Sequence, residues 1–238
     1  MVGIGPGNPL DRTRRAEKAI AGSATVVGYT RYVDLVKDLT EGKEVLSSPM
    51  TREVERCRAA LQAAARGEVV SLISSGDAGV YGMAGLALEM ASEENIRVPI
   101  EIIPGVPSAN AAAAKMGAPL MLDYATISLS DLLVPWETIR ARLEAVASAD
   151  LVTALYNPRS KKRRDQLDEA AEIFRRHRGG DTPVGIGTSV GTEGERIVLT
   201  DLEHFLNFEI HMRSLVIIGN GSSKHVGDWF ITRRGYRL

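Results

Sequence analysis

Short apolar runs alternate with amphipathic stretches through the first half of the chain. The apolar runs have the length of buried strands, and the stretches between them repeat apolar residues every three or four positions, as helices do. This order is typical of parallel strands joined by crossover helices. The pattern predicts strands at residues 1–4, 25–28, 68–74 and 100–103, and helices at residues 10–21, 51–66, 81–94 and 108–115.

The pattern changes at Gly117-Ala118-Pro119-Leu120, where neither period continues. Beyond it, longer helices are predicted over residues 135–147 and 160–177, and short strands over 196–199 and 214–218 suit a mixed sheet with antiparallel pairs. A chain of 238 residues is long enough for two small domains. We therefore predict an α/β protein, with a mostly parallel sheet and crossover helices in residues 1–117 and a mixed-sheet α/β domain in residues 118–238.

Composition and charge narrow the classes of partner. Acidic and basic residues nearly cancel, so the net charge of -1 gives no long-range field that would attract nucleic acid, although a local basic patch can hold an anionic ligand. The single cysteine, Cys57, excludes an intramolecular disulfide and a multi-cysteine zinc site, and its place in a helical pattern predicts a buried, unreactive thiol. No apolar run approaches the roughly 20 residues that cross a bilayer, and no histidine pair has metal-ligand spacing. We expect a cytoplasmic protein with neither a membrane partner nor a bound metal.

Glycine-rich turns follow the predicted strands. The first, Gly3-Ile4-Gly5-Pro6-Gly7, leaves a strand and precedes a helix, where glycine permits a tight turn and a close approach of the backbone to another molecule. It is superficially similar to the dinucleotide-binding G-x-G-x-x-G motif. Pro6 and Pro9 argue against that motif, because they remove N–H groups that a pyrophosphate needs.

Two further turns repeat this arrangement. Residues 74–82 carry Asp77, a carboxylate among small residues that can accept hydrogen bonds from ribose hydroxyls or an amino group, or can cap the following helix. Residues 103–110 form the third turn. Because the carboxyl ends of parallel strands share one edge of a sheet, the three turns predict a small-molecule pocket at that edge.

Taken in order, the turns resemble those of the tetrapyrrole methylases, which carry G-x-G-P-G, then G-D-x-x-x-Y, then P-G-[IV]-[ST]. The third motif departs at Pro107, which stands where the family usually has Ser or Thr and so lacks both a hydroxyl and a backbone N–H. Other segments resemble the C-17 methyltransferases of cobalamin biosynthesis in particular. They are Gly82-Met83-Ala84-Gly85, Gly117-Ala118-Pro119-Leu120-Met121, Ile127-Ser128-Leu129-Ser130-Asp131-Leu132-Leu133, Leu155-Tyr156-Asn157-Pro158-Arg159-Ser160 and Ile217-Ile218-Gly219-Asn220.

The resemblance implies two α/β domains with a cleft between them, a homodimer, and S-adenosylmethionine as the methyl donor. It also implies C-17 methylation of an anionic tetrapyrrole, precorrin-3B or cobalt-factor III, with contraction of the macrocycle. Main-chain groups are expected to make much of the donor contact, which suits the small residues of the turns. Carried over by motif, the donor contacts are Pro6, Gly76, Asp77, Ala78, Val80, Tyr81, Pro107, Ser108, Tyr156, Asn157, Gly185 and Ser214.

Ring contraction requires that protons be removed and delivered. Leu122 stands where the resembling enzymes commonly carry histidine. We therefore expect methylation, which depends on alignment, to survive at Leu122 and contraction to be slow unless a neighbour supplies the proton. The proton carriers expected by position are Ser128, Ser130, Asp131 and Asp123, although Ser-Leu-Ser-Asp can equally cap the next helix.

Precorrins carry many carboxylates, so basic side chains are expected around the substrate. Arg159 directly follows the Tyr-Asn-Pro turn and is the residue of the basic run at 159–164 that we expect to reach the substrate; the alternative for this run is a solvated helix start. Other functions stay open: methylation of another corrin carbon, diphthine synthase-like methylation of a protein, ribose methylation of ribosomal RNA, and nucleotide binding by an oxidoreductase or a non-catalytic domain.

Overall fold

The computed structural model describes residues 1–161 and 163–237. Their contacts divide the chain into two compact units, Met1–Ser108 and Ala109–Leu238, which we call unit 1 and unit 2. Each unit has its own sheet and its own buried apolar clusters. The α/β class predicted from the sequence is confirmed in both units.

Unit 1 is a parallel sheet with helices on both faces. Its elements are β1 (Val2–Gly3), α1 (Arg14–Ala21), β2 (Thr25–Tyr29), α2 (Thr30–Asp34), β3 (Glu44–Ser48), α3 (Glu53–Ala65), β4 (Val70–Ser74) and α4 (Ala84–Glu93). The strand order is β1-β4-β2-β3, and every pair is parallel. Neighbouring residues of β2 point to opposite faces: Val26 packs with Ile20 of α1, and Val27 packs with Leu61 of α3.

Two predicted elements of unit 1 differ from the structure. The predicted helix at residues 10–21 is divided, because Thr13 is extended and its hydroxyl accepts a hydrogen bond from the Ala16 N–H at 3.1 Å, which starts α1 at Arg14. The predicted strand at residues 100–103 is wrong except at Ile103, which makes one parallel bridge to Val2. Prolines stand on both sides of that segment, and proline cannot donate a hydrogen bond to a sheet.

The buried side of α3 is formed largely by small residues. Val54 and Ala65 are exposed, whereas Leu61 is buried. Small residues such as Cys57 and Ala60 form that face, and the spacing of the larger apolar residues did not reveal it. The predicted burial of Cys57 is confirmed, and burial raises the pKa of its thiol to about 11, which keeps the thiol protonated and unreactive.

Unit 2 combines parallel and antiparallel pairs. Its elements are α5 (Ser108–Met116), whose first residue closes unit 1, β5 (Gly117–Ala118), β6 (Tyr124–Ser128), α6 (Trp136–Ser148), β7 (Val152–Tyr156), α7 (Asp165–His177), β8 (Pro183–Thr188), β9 (Arg196–Asp201), β10 (Ser214–Ile218), β11 (Ser223–Val226) and β12 (Trp229–Thr232). The main sheet has the order β6-β7-β10-β8-β9, with only β6 and β7 parallel among its pairs. A second sheet, β11-β12-β5, is likewise mixed. The predicted mixed sheet is confirmed.

Helices cover both faces of the main sheet of unit 2. On one face α6 and α7 bury Leu143 and Phe174 against Leu155 and Val216. On the other face lies α5, whose Met116 packs in a separate buried cluster with residues of β7, β10 and β12. Because α5 packs there, the contacts divide the chain between Ser108 and Ala109, whereas the predicted boundary lies after Gly117.

The predicted helix at residues 160–177 begins later, at Asp165. A turn precedes it, in which the Ser160 N–H donates to the Arg163 carbonyl at 2.9 Å and the Ser160 hydroxyl accepts from the Arg163 N–H at 3.0 Å. Lys162, part of the predicted basic run, lies outside the described residues. Within the described ranges, no helix is long and apolar enough to cross a membrane.

Candidate functional site

Three turns meet at the carboxyl edge of the sheet of unit 1. Gly5 and Gly76 form an antiparallel bridge, in which the Gly5 N–H donates to the Gly76 carbonyl at 3.0 Å and the Gly76 N–H donates to the Gly5 carbonyl at 2.7 Å. Gly105 brings in the third turn: a Cβ added there would lie 2.1 Å from the Gly76 carbonyl oxygen. A Cβ added at Gly3 would lie 2.7 Å from the Gly105 nitrogen. The three backbones therefore approach more closely than any residue with a side chain would allow.

Asp77 fastens two of these turns together. One carboxylate oxygen accepts a hydrogen bond from the Gly79 N–H at 2.7 Å, and the other accepts from the Gly105 N–H at 2.9 Å, 28 residues further along the chain. The alternative that Asp77 caps the next helix is wrong, because α4 follows Met83 and has no side-chain cap. A carboxylate that accepts two backbone N–H groups in this way orders the loops around it.

The other residues of unit 1 predicted to contact the donor all lie on these turns. Pro6 and Ala78 are buried, while Val80, Pro107 and Ser108 are partly accessible. Tyr81 is half exposed and has a φ of 52°, in the left-handed region, which is why α4 begins only at Ala84 rather than at residue 81. Gly76, Pro107 and Ser108 are neighbours in space, since a Cβ at Gly76 would be 3.7 Å from the Pro107 Cα and 3.6 Å from the Ser108 nitrogen.

In unit 2, polar groups gather where the parallel strands β6 and β7 end. The Asn157 side chain donates to the Ser128 hydroxyl at 2.9 Å, and the Ser130 N–H donates to the same oxygen at 3.2 Å. Asn157 has a φ of 51°, a conformation that asparagine tolerates better than most residues. The predicted residues Ser128, Ser130 and Asn157 thus form one cluster. We call it the β6–β7 cluster.

Arg163 completes this cluster, and the sequence did not reveal it. Its guanidinium donates to the Asn157 carbonyl at 2.6 Å and lies 4.0 Å from the Asp131 carboxylate, which also accepts from the Gln166 side chain at 2.8 Å. Only 7% of the Arg163 residue surface is exposed. This burial lowers the pKa of the guanidinium, and the Asp131 charge opposes that shift. Lys161 and Arg164 of the basic run are exposed, which agrees with the alternative that the run is a solvated helix start. Arg163 is buried, so that alternative is wrong for Arg163.

Arg159, the predicted substrate residue, is partly accessible. One of its terminal nitrogens, Nη2, donates to both carboxylate oxygens of Asp168 on α7, at 2.9 and 2.8 Å. A quarter of the Arg159 side chain is exposed. The ion pair fixes the direction of the guanidinium, and part of the Arg159 side chain stays accessible.

Asp123 does not join the β6–β7 cluster. It is exposed and precedes the first residue of β6, whereas Ser128 is the last. Five residues of extended strand separate the two by roughly 16 Å. Leu122 lies at the same amino end of β6 as Asp123. The alternative that Ser-Leu-Ser-Asp caps the next helix is wrong, because Pro135 precedes α6 without a side-chain cap.

The remaining predicted donor contacts of unit 2 divide between the faces of its main sheet. The Tyr156 hydroxyl accepts from the Ala109 N–H at the start of α5, at 3.0 Å. Gly185 faces the same helix, since a Cβ there would lie 2.3 Å from the Met116 sulfur. Gly185 pairs with Ile217 of β10, and Ser214 precedes Ile217 by an odd number of residues on the same strand. Since successive residues of a strand alternate between the two faces of a sheet, Ser214 lies on the face opposite to Gly185.

In residues 1–161 and 163–237, no group of three or more histidine, cysteine, aspartate or glutamate side chains could hold a metal ion. The polar groups that the structure does bring together are backbone amides, hydroxyls, carboxylates and guanidiniums. Such groups can bind and orient a ligand and can hold or transfer a proton.

Comparison with known proteins gives the class of this chain. A family model described as Tetrapyrrole (Corrin/Porphyrin) Methylases matches residues 1–206. The chain belongs to this family. Among solved structures, that of the methyltransferase CobJ superimposes with a TM-score of 0.90 at 34% identity, covering 98% of each chain.

Two curated relatives have names that specify the substrate of a methyltransferase. A cobalt-factor III methyltransferase of Priestia megaterium is 45% identical over 241 residues, which cover all of this chain and 45% of that relative. A probable cobalt-factor III C(17)-methyltransferase of Salmonella typhimurium is 45% identical over 239 residues, covering all of this chain and 99% of the relative. The chain therefore spans less than half of the first relative and nearly the whole of the second.

Because the Asp77 carboxylate links two turns by hydrogen bonds, we expect its substitution to lower the stability of the folded protein. Asp77→Ala leaves two backbone N–H groups without their charged acceptor, so we expect the free energy of unfolding to fall by about 1.5–3 kcal/mol. Asp77→Asn keeps an acceptor oxygen and should lose less. Urea unfolding followed by circular dichroism measures both, with the exposed Asp34→Ala as the control, for which we expect a change of about 0.5 kcal/mol or less. Equal stability of the Asp77→Ala and Asp34→Ala proteins would contradict the fastening role.

Proposed function

We propose that this chain is an S-adenosylmethionine-dependent methyltransferase that methylates C-17 of an anionic tetrapyrrole in cobalamin biosynthesis, cobalt-factor III or precorrin-3B. The observation that carries the proposal is the meeting of the three glycine turns at one sheet edge, in a chain whose residues 1–206 match the family model. The first two turns carry sequences that resemble the family's motifs, and the third departs from its motif at Pro107. The full-length similarity to the Salmonella relative, whose name specifies C-17, supports the choice of carbon.

The turns of unit 1 suit S-adenosylmethionine as the methyl donor. The close backbone approach of Gly3, Gly76 and Gly105 forms a surface of small residues, where an adenosine can lie against main-chain atoms. Asp77 orders that surface, because its carboxylate is engaged with Gly79 and Gly105. The donor supplies an electrophilic methyl group on a sulfonium. From the turns of unit 1, we propose contacts with Pro6, Gly76, Asp77, Ala78, Val80, Tyr81, Pro107 and Ser108, and from unit 2 contacts with Tyr156, Asn157, Gly185 and Ser214.

The proposed substrate contacts come from unit 2. A tetrapyrrole of this pathway carries acetate and propionate carboxylates, for which guanidinium is the best-matched partner. Arg159 is partly exposed and oriented by Asp168. Both hydrogen bonds to Asp168 come from the same nitrogen, Nη2. We propose that Nη1, which makes no hydrogen bond to the residues that the structure describes, donates to a substrate carboxylate.

Methyl transfer and ring contraction place different demands on the protein. Transfer of a methyl group from a sulfonium to an electron-rich carbon needs alignment above all. Contraction moves protons and needs an acid or base. We propose that the Asp131 carboxylate is the base that accepts that proton, because Gln166 and the buried Arg163 orient it beside the β6–β7 cluster. Ser128 and Ser130 orient groups around it, and Asp123 at the other end of β6 takes no part.

Isotope labelling tests the proposed function. The protein is incubated with 13C-methyl S-adenosylmethionine and, in separate reactions, with cobalt-factor III and precorrin-3B. We expect product mass to rise by one labelled methyl group and NMR to assign the label to C-17 of at least one substrate. A label on another ring carbon would select the other corrin methylases. Absence of transfer to either tetrapyrrole under reducing, anaerobic conditions would contradict the proposal.

Substitution of Arg159 tests the substrate contact. Arg159→Ala should raise KM for the tetrapyrrole by about tenfold or more, because it removes a charge-assisted hydrogen bond, and should leave the affinity for the donor unchanged. The control is Arg176→Ala, which removes an arginine of the last turn of α7 that pairs with Glu144. Steady-state kinetics and donor titration give both quantities. A parallel loss of donor affinity, or a KM equal to that of the control, would show that Arg159 does not bind the substrate.

A pair of variants locates the proton carrier. Asp131→Asn should slow contraction by about a hundredfold or more while methylation changes little, since only contraction needs acid–base catalysis. Leu122→His introduces the imidazole of the resembling enzymes at the amino end of β6, and we expect both rates to stay within about twofold because that end is remote from Asp131. Single-turnover assays that resolve methylated from contracted product measure both rates. A large gain in contraction by Leu122→His would transfer the role to position 122.

A further inference from the structure

Two adjacent leucines stand out from the loop between β6 and α6. Leu132 is 78% exposed and Leu133 is 95% exposed. They directly follow Asp131, at the carboxyl end of the strand that carries Ser128. Single exposed leucines are common in proteins, but two consecutive ones beside a polar cluster form an apolar surface that water solvates poorly.

The backbone on either side of the leucines is held in place. Before them, Asp131 accepts a hydrogen bond from the Gln166 side chain at 2.8 Å. After them, Val134 and Trp136 pack against the buried cluster beneath α6 and α7, and the indole N–H of Trp136 donates to Glu169 at 2.6 Å. The leucines are therefore presented to solvent by an anchored loop, so they form a lasting apolar surface.

By itself, the surface of the two leucines is small for a contact with a second copy of the chain. Two leucine side chains bury roughly 200 Å² at most when covered. A stable protein interface needs about 800 Å² on each partner. The leucine pair supplies about a quarter of that area, which suits contact with one small molecule better.

The chemistry around the leucines indicates what kind of small molecule fits. Asp131 joins them to the buried Arg163, whose guanidinium lies 3.7 Å from the sulfur of Met212, a residue 39% exposed. Arg159 offers a guanidinium from the adjoining turn. An apolar pair next to cationic and hydrogen-bonding groups complements a molecule with a flat apolar face and carboxylates at its rim.

We propose that Leu132 and Leu133 form the apolar surface on which one face of the tetrapyrrole macrocycle packs. This inference rests on the proposed function and adds to it the residues that recognise the body of the substrate rather than its carboxylates. Packing against the macrocycle buries both side chains and aligns the ring beside Asp131. The leucines contact the substrate and leave the methyl donor untouched.

Glutamine substitutions test this surface. We expect the double variant Leu132→Gln, Leu133→Gln to bind cobalt-factor III at least about tenfold more weakly than the unsubstituted protein, because glutamine keeps the length of the side chain and removes its apolar surface. The affinity for S-adenosylhomocysteine should be unchanged. Anaerobic titration by visible absorbance measures the first affinity, and calorimetry measures the second. The control is Leu88→Gln, at an exposed leucine of α4 in unit 1.

Each other outcome overturns the inference. Unchanged affinity of the double variant for cobalt-factor III, with the unsubstituted protein binding it, would reject the leucine surface and leave the proposed function intact. Dissociation of an oligomer in the double variant, measured by sedimentation against the unsubstituted protein, would assign the leucines to a second copy. Failure of the unsubstituted protein to bind any tetrapyrrole would reject both the proposed function and the inference. The single variant Leu133→Gln, at the more exposed position, guards against a loss of binding caused by misfolding.

Discussion

The close approach of three backbone turns in unit 1 is the constraint on which the proposed site depends. At Gly105 an added Cβ would come within 2.1 Å of the Gly76 carbonyl oxygen, and at Gly3 within 2.7 Å of the Gly105 nitrogen. Side chains are excluded here by lack of space, since a Cβ would overlap backbone atoms that cannot move independently. The Asp77 carboxylate then holds the turns by accepting N–H groups from two of them. The result is a surface made mostly of main-chain groups, which we propose as the donor site.

In unit 2, a buried side chain rather than a close approach of backbones holds two loops together. There a buried guanidinium, Arg163, ties the turn at Asn157 to the loop at Asp131. A buried charge is costly unless it is paired and hydrogen-bonded, and its Nε has no partner among the described residues. The cost is offset by the Asn157 carbonyl and by Asp131. A polar cluster maintained in this way suits a step that moves protons, whereas the main-chain surface of unit 1 suits the binding of a donor.

Local signals made the turns of unit 1 predictable from the sequence. Glycine and proline mark turns by their own backbone limits, so the three segments could be predicted directly. Two of them follow strands as predicted, whereas the predicted strand before the third is reduced to one bridge at Ile103. The link that Asp77 makes between two turns could not be predicted, because its second partner, Gly105, is 28 residues away. From the sequence, a local helix cap explains Asp77 equally well. Asp123 and Ser128 cannot be separated from the sequence, because no pattern predicts β6, the strand whose length places them apart. Arg163 was grouped with a solvated run because charge alone does not reveal which member of a run the fold buries.

Calorimetric titration of the Gly105→Ala variant with S-adenosylhomocysteine tests the central claim most directly. We expect a dissociation constant about fivefold or more above that of the unsubstituted protein, because the methyl group forces the turns apart at a cost of about 1–3 kcal/mol. Gly85→Ala, where an added Cβ meets nothing within 4 Å, should bind as the unsubstituted protein does. A Gly105→Ala protein that binds S-adenosylhomocysteine with unchanged affinity would contradict the claim that the three turns form the donor site.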